Sequence, residues 1–135
     1  INVGAANHLN LMANGAITIS SGFGVQATNP NLSLLIDATT SHDIVFFVTI
    51  AGGEVELIGN NIETTATALS SSGPTEVNIY AAGDFTSTGS GVSIAGGSIA
   101  ICAGNDILVQ HAGVSSGGGS ISLQAEGTIT VTGRR

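Results

Sequence analysis

Basic residues are almost absent from this 135-residue sequence. Nine Asp and Glu residues face only two basic ones, Arg134 and Arg135, and lysine does not occur, so the formal net charge is −7. Proteins that bind nucleic acids neutralise phosphates with Lys and Arg, and attachment to anionic lipid surfaces uses the same side chains. We therefore expect neither nucleic acid nor an anionic membrane surface as a partner.

Cysteine is equally scarce, and long apolar runs are missing. The single cysteine, Cys102, cannot form an internal disulfide. A membrane-spanning run of about eighteen apolar residues does not occur, and residues 1–4 lack the basic start and apolar stretch of a secretory signal. We expect no membrane insertion, and we expect the sequence to be a processed product or a piece of a longer chain.

Glycine, by contrast, is abundant. The sequence contains 20 Gly and only 2 Pro, and 42% of its residues are hydrophobic. Glycine destabilises helix interiors by roughly 1 kcal/mol relative to Ala, whereas tight turns between short strands use it freely. The composition predicts an all-β domain with a core of Val, Ile and Leu.

Apolar-polar-apolar triplets recur along the whole chain. They open at Leu9, Leu32, Val55, Val77, Ile99 and Ile121, at intervals of 23, 23, 22, 22 and 22 residues. A fixed period of this length is typical of solenoids, whose repeats share one core by stacking. In the fourth repeat, residues 77–80, 85–88 and 92–95 read as three strands separated by glycine-containing corners. We predict one domain, residues 1–135, that forms a three-sided parallel β-helix of about six coils with 22–23 residues each.

The second repeat is the least regular part of this pattern. Residues 39–48 align poorly with the other repeats, which predicts a bulge or a local loop there.

Alternation within strands sends one set of apolar residues inward to the shared core. In the fourth repeat this inward set is Val77, Ile79, Phe85, Val92 and Ile94.

The last repeat carries a family resemblance. Residues 121–133 read Ile-Ser-Leu-Gln-Ala-Glu-Gly-Thr-Ile-Thr-Val-Thr-Gly, and the pattern I-x-L-x-A-x-G-x-I echoes at 9–17 and 99–107. This segment resembles the haemagglutinin-type repeats of the filamentous haemagglutinin-like adhesins. Residues 29–32, Asn-Pro-Asn-Leu, resemble a short motif of that family's secretion domain. The resemblance implies a right-handed β-helical rod that is exported by two-partner secretion and displayed on, or shed from, a bacterial surface.

Both ends of the sequence fall within coils. Residues 1–3 align with third-strand positions such as 92–94, and the sequence stops after the second-strand segment 129–131. Either this is a segment of a longer rod, or copies stack head to tail and complete the broken coil between them. The candidate end-to-end contact residues are Ile1, Val3, Ile121, Leu123, Ile129 and Val131.

An apolar column is predicted on the outside of the first strand of each coil. Stacked apolar residues on a surface usually mark an interface, here for lateral bundling, a covering segment or a receptor; the alternative is that a corner covers them. The candidate interface stripe is Met12, Leu35, Ile58, Tyr80 and Cys102. The residues that follow the stripe are small, at Ala13, Gly59, Ala81, Ala103 and Ala125, and Ile36 is the exception.

A metal site and a catalytic site find little support. Asp84 and Asp106 share one offset, so their carboxylates could stack about 4.8 Å apart and bind Ca²⁺, but solvated corner residues are the favoured interpretation. The histidines, His8, His42 and His111, fall at different offsets beside no repeated partner. We predict surface loop positions for them, no enzyme activity and no cofactor.

Ice binding is the remaining alternative. Thr18, Thr65, Thr86, Thr88, Thr130 and Thr132 are predicted to point outward from second strands. Glu63, Leu108 and Gln110 interrupt this array, and threonine is favoured in strands anyway. The sequence thus favours an acidic extracellular rod for adhesion, with a head-to-tail filament as the alternative and an ice-binding solenoid as a minor one.

Overall fold

The chain forms only β-structure wherever its structure is described. The computed structural model describes residues 1–19, 24–64, 67–88, 91–110 and 113–132. Within these ranges, no helix is long and apolar enough to cross a membrane. The strands are β1 (His8–Met12), β2 (Ile17–Thr18), β3 (Val25–Gln26), β4 (Leu32–Asp37), β5 (Ile44–Val45), β6 (Val48–Ile50), β7 (Gly53–Gly59), β8 (Ile62–Thr64), β9 (Thr67–Ala81), β10 (Phe85–Ser87), β11 (Gly91–Ala103), β12 (Ile107–Gln110), β13 (Val114–Ser116), β14 (Ile121–Ala125) and β15 (Ile129–Thr132).

These strands pair in parallel and build three stacks. The first stack is β1-β4-β7-β9-β11-β14, the second is β2-β5-β8-β10-β12-β15, and the third is β3-β6-β9-β11-β13. Strands β9 and β11 belong to two stacks because each runs through a corner from the third face to the first. The predicted all-β, three-sided parallel solenoid is confirmed. The right-handedness that the resemblance implies stays a prediction.

The number of coils is slightly lower than predicted. Leu9 in β1 and Ile121 in β14 are equivalent positions of the first stack, and five complete turns separate them. The remaining residues at the two ends add an incomplete coil. The structure therefore has about five turns where the sequence predicted about six coils.

One continuous apolar core runs along the axis. The five inward residues predicted for the fourth repeat, Val77, Ile79, Phe85, Val92 and Ile94, are all 3% exposed or less. A single cluster of buried residues extends from Val25 to Val109. Each coil covers the apolar side chains of its neighbours. The core therefore forms by stacking, because one coil cannot bury its apolar side chains alone.

The second coil follows a different register from the predicted one. Leu9 pairs with Leu34 and Leu34 pairs with Val55, so Leu34 opens this coil and Leu32 lies at the preceding corner beside Gly53. The predicted opening at Leu32 is wrong by two residues. A shift of two residues keeps every side chain on its own face, since strand side chains alternate with period 2. Both alignments therefore bury the same residues.

A local loop absorbs the shift, as the sequence predicted for this region. The backbone turns after Asp37, whose Oδ1 accepts a hydrogen bond from the Thr39 amide at 2.8 Å. Thr39 has a φ of 61°, which is uncommon for a residue other than glycine. The same register places Ala38 over Ala13 and beside Gly59, so the column of small residues has no exception and Ile36 belongs to the core.

In β9 and β11 the strand continues through the corner between the third and first faces. The sequence predicted a break at residues 96–97, whereas β11 continues through this corner with a register shift between Ile94 and Gly96. Gly97 has a φ of 99°, and a Cβ added to it would lie 2.0 Å from the Thr75 carbonyl oxygen of the adjacent coil. No other residue fits a corner in which two coils approach this closely.

The core also contains a buried hydroxyl chain near the second corner. The Thr64 hydroxyl donates to Ser87 Oγ at 2.8 Å, and the Ser87 hydroxyl donates to the Gly113 carbonyl oxygen at 2.9 Å. Both side chains are fully buried. In the described residues no buried side-chain nitrogen or oxygen lacks a hydrogen-bond partner.

Candidate interface surfaces

The apolar stripe on the first face is shorter than predicted. Ile58, Tyr80 and Cys102 are directly paired neighbours on successive strands, and Gln124 follows them. Asp37 occupies this column between Met12 and Ile58. The carboxylate interrupts the stripe, so only three apolar residues are contiguous.

Leu35 does not belong to this stripe. The two-residue shift of the second coil places Leu35 in the neighbouring outward column, paired with Asn10 and Glu56. Of the other predicted members, Met12 is 67% exposed, Tyr80 is 43% exposed, and Ile58 and Cys102 are partly buried. The surface that these residues offer is a patch around Tyr80 and Cys102, which border a depression of about 160 Å³.

Carboxylates occupy the middle of the same face. Glu54 and Glu76 are direct neighbours on β7 and β9, and Glu56 lies two residues further along β7. All three are exposed. Glu54 and Glu76 line a groove of about 720 Å³ along the corner, with Pro30 and Pro74, and its lining contains no histidine, cysteine or basic side chain. The expectation of no enzyme activity stays a prediction.

The two stacked aspartates belong to a longer hydrogen-bonded ladder. Asp84 Oδ1 accepts from the Asp106 amide at 3.1 Å and from Asn105 Nδ2 at 2.8 Å, and Asp106 Oδ1 accepts from the Thr128 amide at 2.8 Å. Each side chain thereby binds the backbone of the next coil. Among the described residues no three metal-ligating side chains are grouped to hold an ion.

The ladder continues in the direction of the N-terminus, which the sequence reasoning missed. Asn61 Oδ1 accepts from the Asp84 amide at 2.9 Å, and Asp43 Oδ1 accepts from the Asn61 amide at 3.1 Å. The signal was present in the sequence, because an Asp, Asn or Thr stands directly before the first residue of every second-stack strand from β5 onward. These polar side chains fix the first corner of each coil.

Threonines do not form a continuous array on the second face. The outward column of the second stack reads Thr18, Val45, Glu63, Thr86, Leu108 and Thr130, so no two threonines in it are adjacent. Thr65, a further member of the predicted array, lies outside the described residues. The geometry of this column gives the ice-binding alternative no support.

The two histidines within the described residues are far apart in the fold. His8 opens β1 and is exposed on a strand rather than in a loop. His42 lies in the local loop, where its carbonyl oxygen accepts from the Asn60 amide at 2.6 Å. His111, Arg134 and Arg135 lie outside the described residues.

The last described coil exposes residues of the core columns. Ile121, Ile129 and Val131 are 43%, 43% and 61% exposed, whereas their partners in the preceding coil, Ile99, Ile107 and Val109, are 1%, 1% and 5% exposed. Leu123 is partly buried against the core. These side chains point inward but have a neighbouring coil on one side only. We call Ile121, Leu123, Ile129 and Val131 the C-terminal end face.

The first described coil shows the same feature at the opposite end. Asn2 bridges to Gln26, which places Ile1 and Val3 in the inward columns of the third stack. Ile1 is 62% exposed, and Val3 is only partly buried. Leu9, Leu11, Ile17 and Ile19 are likewise only partly buried. We call Ile1, Val3, Leu9, Leu11, Ile17 and Ile19 the N-terminal end face. The six candidate end-to-end residues lie in the first and last described coils, and their contact with another copy stays a prediction.

Comparison with known proteins adds no family to this description. No protein-family model, no curated protein and no solved structure matched the chain. The relation to the haemagglutinin-like adhesins therefore stays a prediction, based on the repeat residues alone.

Proposed function

We propose that this chain is a structural section of an extended acidic β-solenoid rod at a bacterial surface, where the rod supports adhesion. The observation that carries this proposal is the continuity of the core. Apolar side chains line the core through the described coils, and a few buried hydroxyls such as those of Thr64 and Ser87 are the exceptions. Repeats that stack on one shared core build extended rods, in which each coil contacts only its neighbours.

The side faces suit a scaffold. Their outward columns are mostly polar, and acidic residues such as Glu54, Glu56 and Glu76 stay exposed. A net charge of −7 keeps such rods soluble and discourages unspecific lateral contact. Continuous parallel ladders and corner hydrogen bonds supply stiffness along the axis. The bacterial surface and the adhesive role rest on the resemblance of residues 121–133 to haemagglutinin-type repeats.

The single cysteine offers a test of surface display. Cys102 is partly exposed, so a membrane-impermeant maleimide should label the chain on intact producing cells. Cys102→Ser is the matched control, and Ser122→Cys in that background moves the thiol to an exposed position on the same face. Labelling of both thiols only after cell lysis would contradict surface display.

The adhesive role needs its own measurement. Producing cells with an in-frame deletion of residues 1–135 should adhere less to host-cell monolayers than unmodified cells do. Unchanged adherence together with surface labelling would leave the rod in place and refute its role in adhesion.

A further inference from the structure

We propose that a depression on the first face, beside Tyr80, binds a neutral sugar ring of a glycan. This inference rests on the proposed adhesive role and names the chemical class of receptor that this face recognises. The depression has a volume of about 160 Å³, and Tyr80, which is 43% exposed, borders it. Its lining combines an aromatic ring, amide and hydroxyl groups, and one carboxylate.

One small residue among larger ones forms the depression. Ala100 is exposed and has Asn78 and Ser122 as its direct neighbours in one outward column. The adjacent outward column consists of Tyr80, Cys102 and Gln124. Neighbouring coils lie about 4.8 Å apart, and adjacent outward positions on one strand lie about 7 Å apart. These two columns therefore frame an area of about 10 Å by 7 Å, which accommodates one pyranose ring.

The aromatic ring of Tyr80 gives the site an apolar wall. Tyr80 lies between Ile58 and Cys102 in its column, so neither of its direct neighbours there is charged. A sugar ring presents C–H groups on its faces and hydroxyl groups around its edge. Aromatic side chains offer a large apolar contact area, so a C–H face of the sugar packs on the tyrosine ring. The phenol hydroxyl adds a hydrogen-bonding group at the rim.

The polar groups around the depression match the edge of such a ring. Asn78 and Gln124 each offer amide donors and an acceptor, and Ser122 offers a hydroxyl that does both. Glu56 adds a carboxylate that accepts from sugar hydroxyls. All four residues are exposed, so a ligand can reach them from solvent. An apolar protein segment in this place would leave these groups without hydrogen-bond partners, whereas a sugar satisfies them.

Charge restricts the glycan to a neutral one. Among the described residues that line the depression only Glu56 is charged, and Glu54 and Glu76 lie in the neighbouring column of the same face. Sialic acids and sulfated sugars would meet these carboxylates without Lys or Arg to neutralise them, because residues 1–133 contain neither. A cationic peptide would be attracted to the carboxylates, but most of the lining is uncharged and would gain nothing from its charge. The lining therefore favours a neutral sugar over both charged alternatives.

The thiol of Cys102 can report occupancy of the depression. It is partly exposed and lines the site, so a bound sugar should protect it from a maleimide. The probes are the methyl glycosides of glucose, galactose and mannose, and N-acetylglucosamine. We expect at least one of them to slow labelling at least about threefold near saturation. N-acetylneuraminic acid and galactose 6-sulfate should leave the rate unchanged.

A second thiol position controls for effects of the sugars on the reagent. Thr86→Cys in the Cys102→Ser background places a partly exposed thiol on the second face, away from the depression. The same sugars should leave the labelling rate of this thiol unchanged.

Substitutions at the site test which groups bind the sugar. Tyr80→Ala removes the apolar wall and should weaken binding of the protecting sugar at least about tenfold in an NMR titration. Tyr80→Phe keeps the ring, and its affinity should stay within about threefold. Ala100→Leu fills the depression and should abolish binding, whereas the matched Thr86→Leu on the second face should not. These are outward positions, so thermal midpoints that match the unmodified chain distinguish loss of the site from loss of the fold.

The outcomes separate this inference from the proposed rod. Labelling of Cys102 that no neutral sugar slows, equal protection by the anionic sugars, or unchanged binding by Tyr80→Ala would overturn the sugar site. Protection by a trilysine peptide alone would overturn it in favour of a cationic partner. Cell-surface labelling and the adherence of the deletion strain do not depend on these results. Sugar binding by a chain whose deletion leaves adherence unchanged would support the site and refute the adhesive role.

Discussion

The buried hydroxyl chain allows a sharp test of how this core is held together. Ser87 accepts from Thr64 and donates to the Gly113 carbonyl oxygen, and both hydroxyl-bearing side chains are fully buried. Ser87→Ala leaves the Thr64 hydroxyl without its acceptor. The Gly113 oxygen still accepts from the Val92 amide at 2.8 Å. One buried hydroxyl is thus left unpaired, and we expect the free energy of unfolding to fall by about 1–3 kcal/mol.

The partner substitution should be milder. Thr64→Val removes the donor but leaves Ser87 bonded to Gly113, and Val109 already occupies the same inward column two coils further along. We expect a loss of about 1 kcal/mol or less, because no polar group is left unpaired. In the double variant, Ser87→Ala no longer strands a hydroxyl. Its total cost should therefore fall below the sum of the two single costs by about 1 kcal/mol or more.

Urea unfolding of the four proteins measures this coupling. The midpoints should shift with unchanged denaturant dependence, and each 1 kcal/mol should correspond to roughly 4 °C in the thermal midpoint for a domain of this size. The measurement belongs at a concentration where the chain sediments as a monomer, because association would add apparent stability. Additive costs, or a Ser87→Ala variant as stable as the unmodified chain, would refute the hydroxyl chain as a buried hydrogen-bonded unit.

Three further predictions follow from the corners and the second face. Gly97→Ala should lower the free energy of unfolding by at least about 2 kcal/mol, because the φ of Gly97 is 99° and an added Cβ would collide with the Thr75 carbonyl oxygen. Gly96→Ala is the control: no atom lies within 4 Å of its added Cβ, so the free energy of unfolding should change by less than about 0.5 kcal/mol. Asp84→Ala should lower the free energy of unfolding by about 1 kcal/mol, whereas Asp84→Asn keeps an acceptor oxygen for the Asp106 amide and should be near neutral. Millimolar Ca²⁺ should leave the thermal midpoint unchanged, and a clear rise in the midpoint would reinstate the metal site. A thermal-hysteresis assay should detect no ice binding, since Thr86 is flanked in its column by Glu63 and Leu108.

Much of the fold was predictable because period and alternation are both properties of the sequence. The triplet spacing identifies the coils, and alternation identifies the inward residues, so the core of the fourth repeat was predicted correctly. What alternation cannot reveal is a shift by an even number of residues. Leu32 and Leu34 are both apolar and both buried, at 1% and 2% exposure, so either could open the second coil on this criterion.

A weaker signal did distinguish the two alignments. With Leu32 as the opening residue, Ile36 falls in the column of small corner residues and is too large for it. With Leu34, Ala38 takes that position and is fully buried. The single exception in an otherwise uniform column thus indicated the error. It also determined the candidate site, because the same shift replaces Leu35 by Asp37 in the outward stripe.

The placement of polar residues explains why a solenoid with such a simple core has a defined register. A slip by two residues costs little in the core but moves every corner residue out of position. Asp84 would then no longer face the Asp106 amide, and Gly97 would be replaced at the tightest corner by Ile99 or Ala95. The hydrogen-bonded ladder and the positive-φ glycines therefore select one register among those that hydrophobic burial allows.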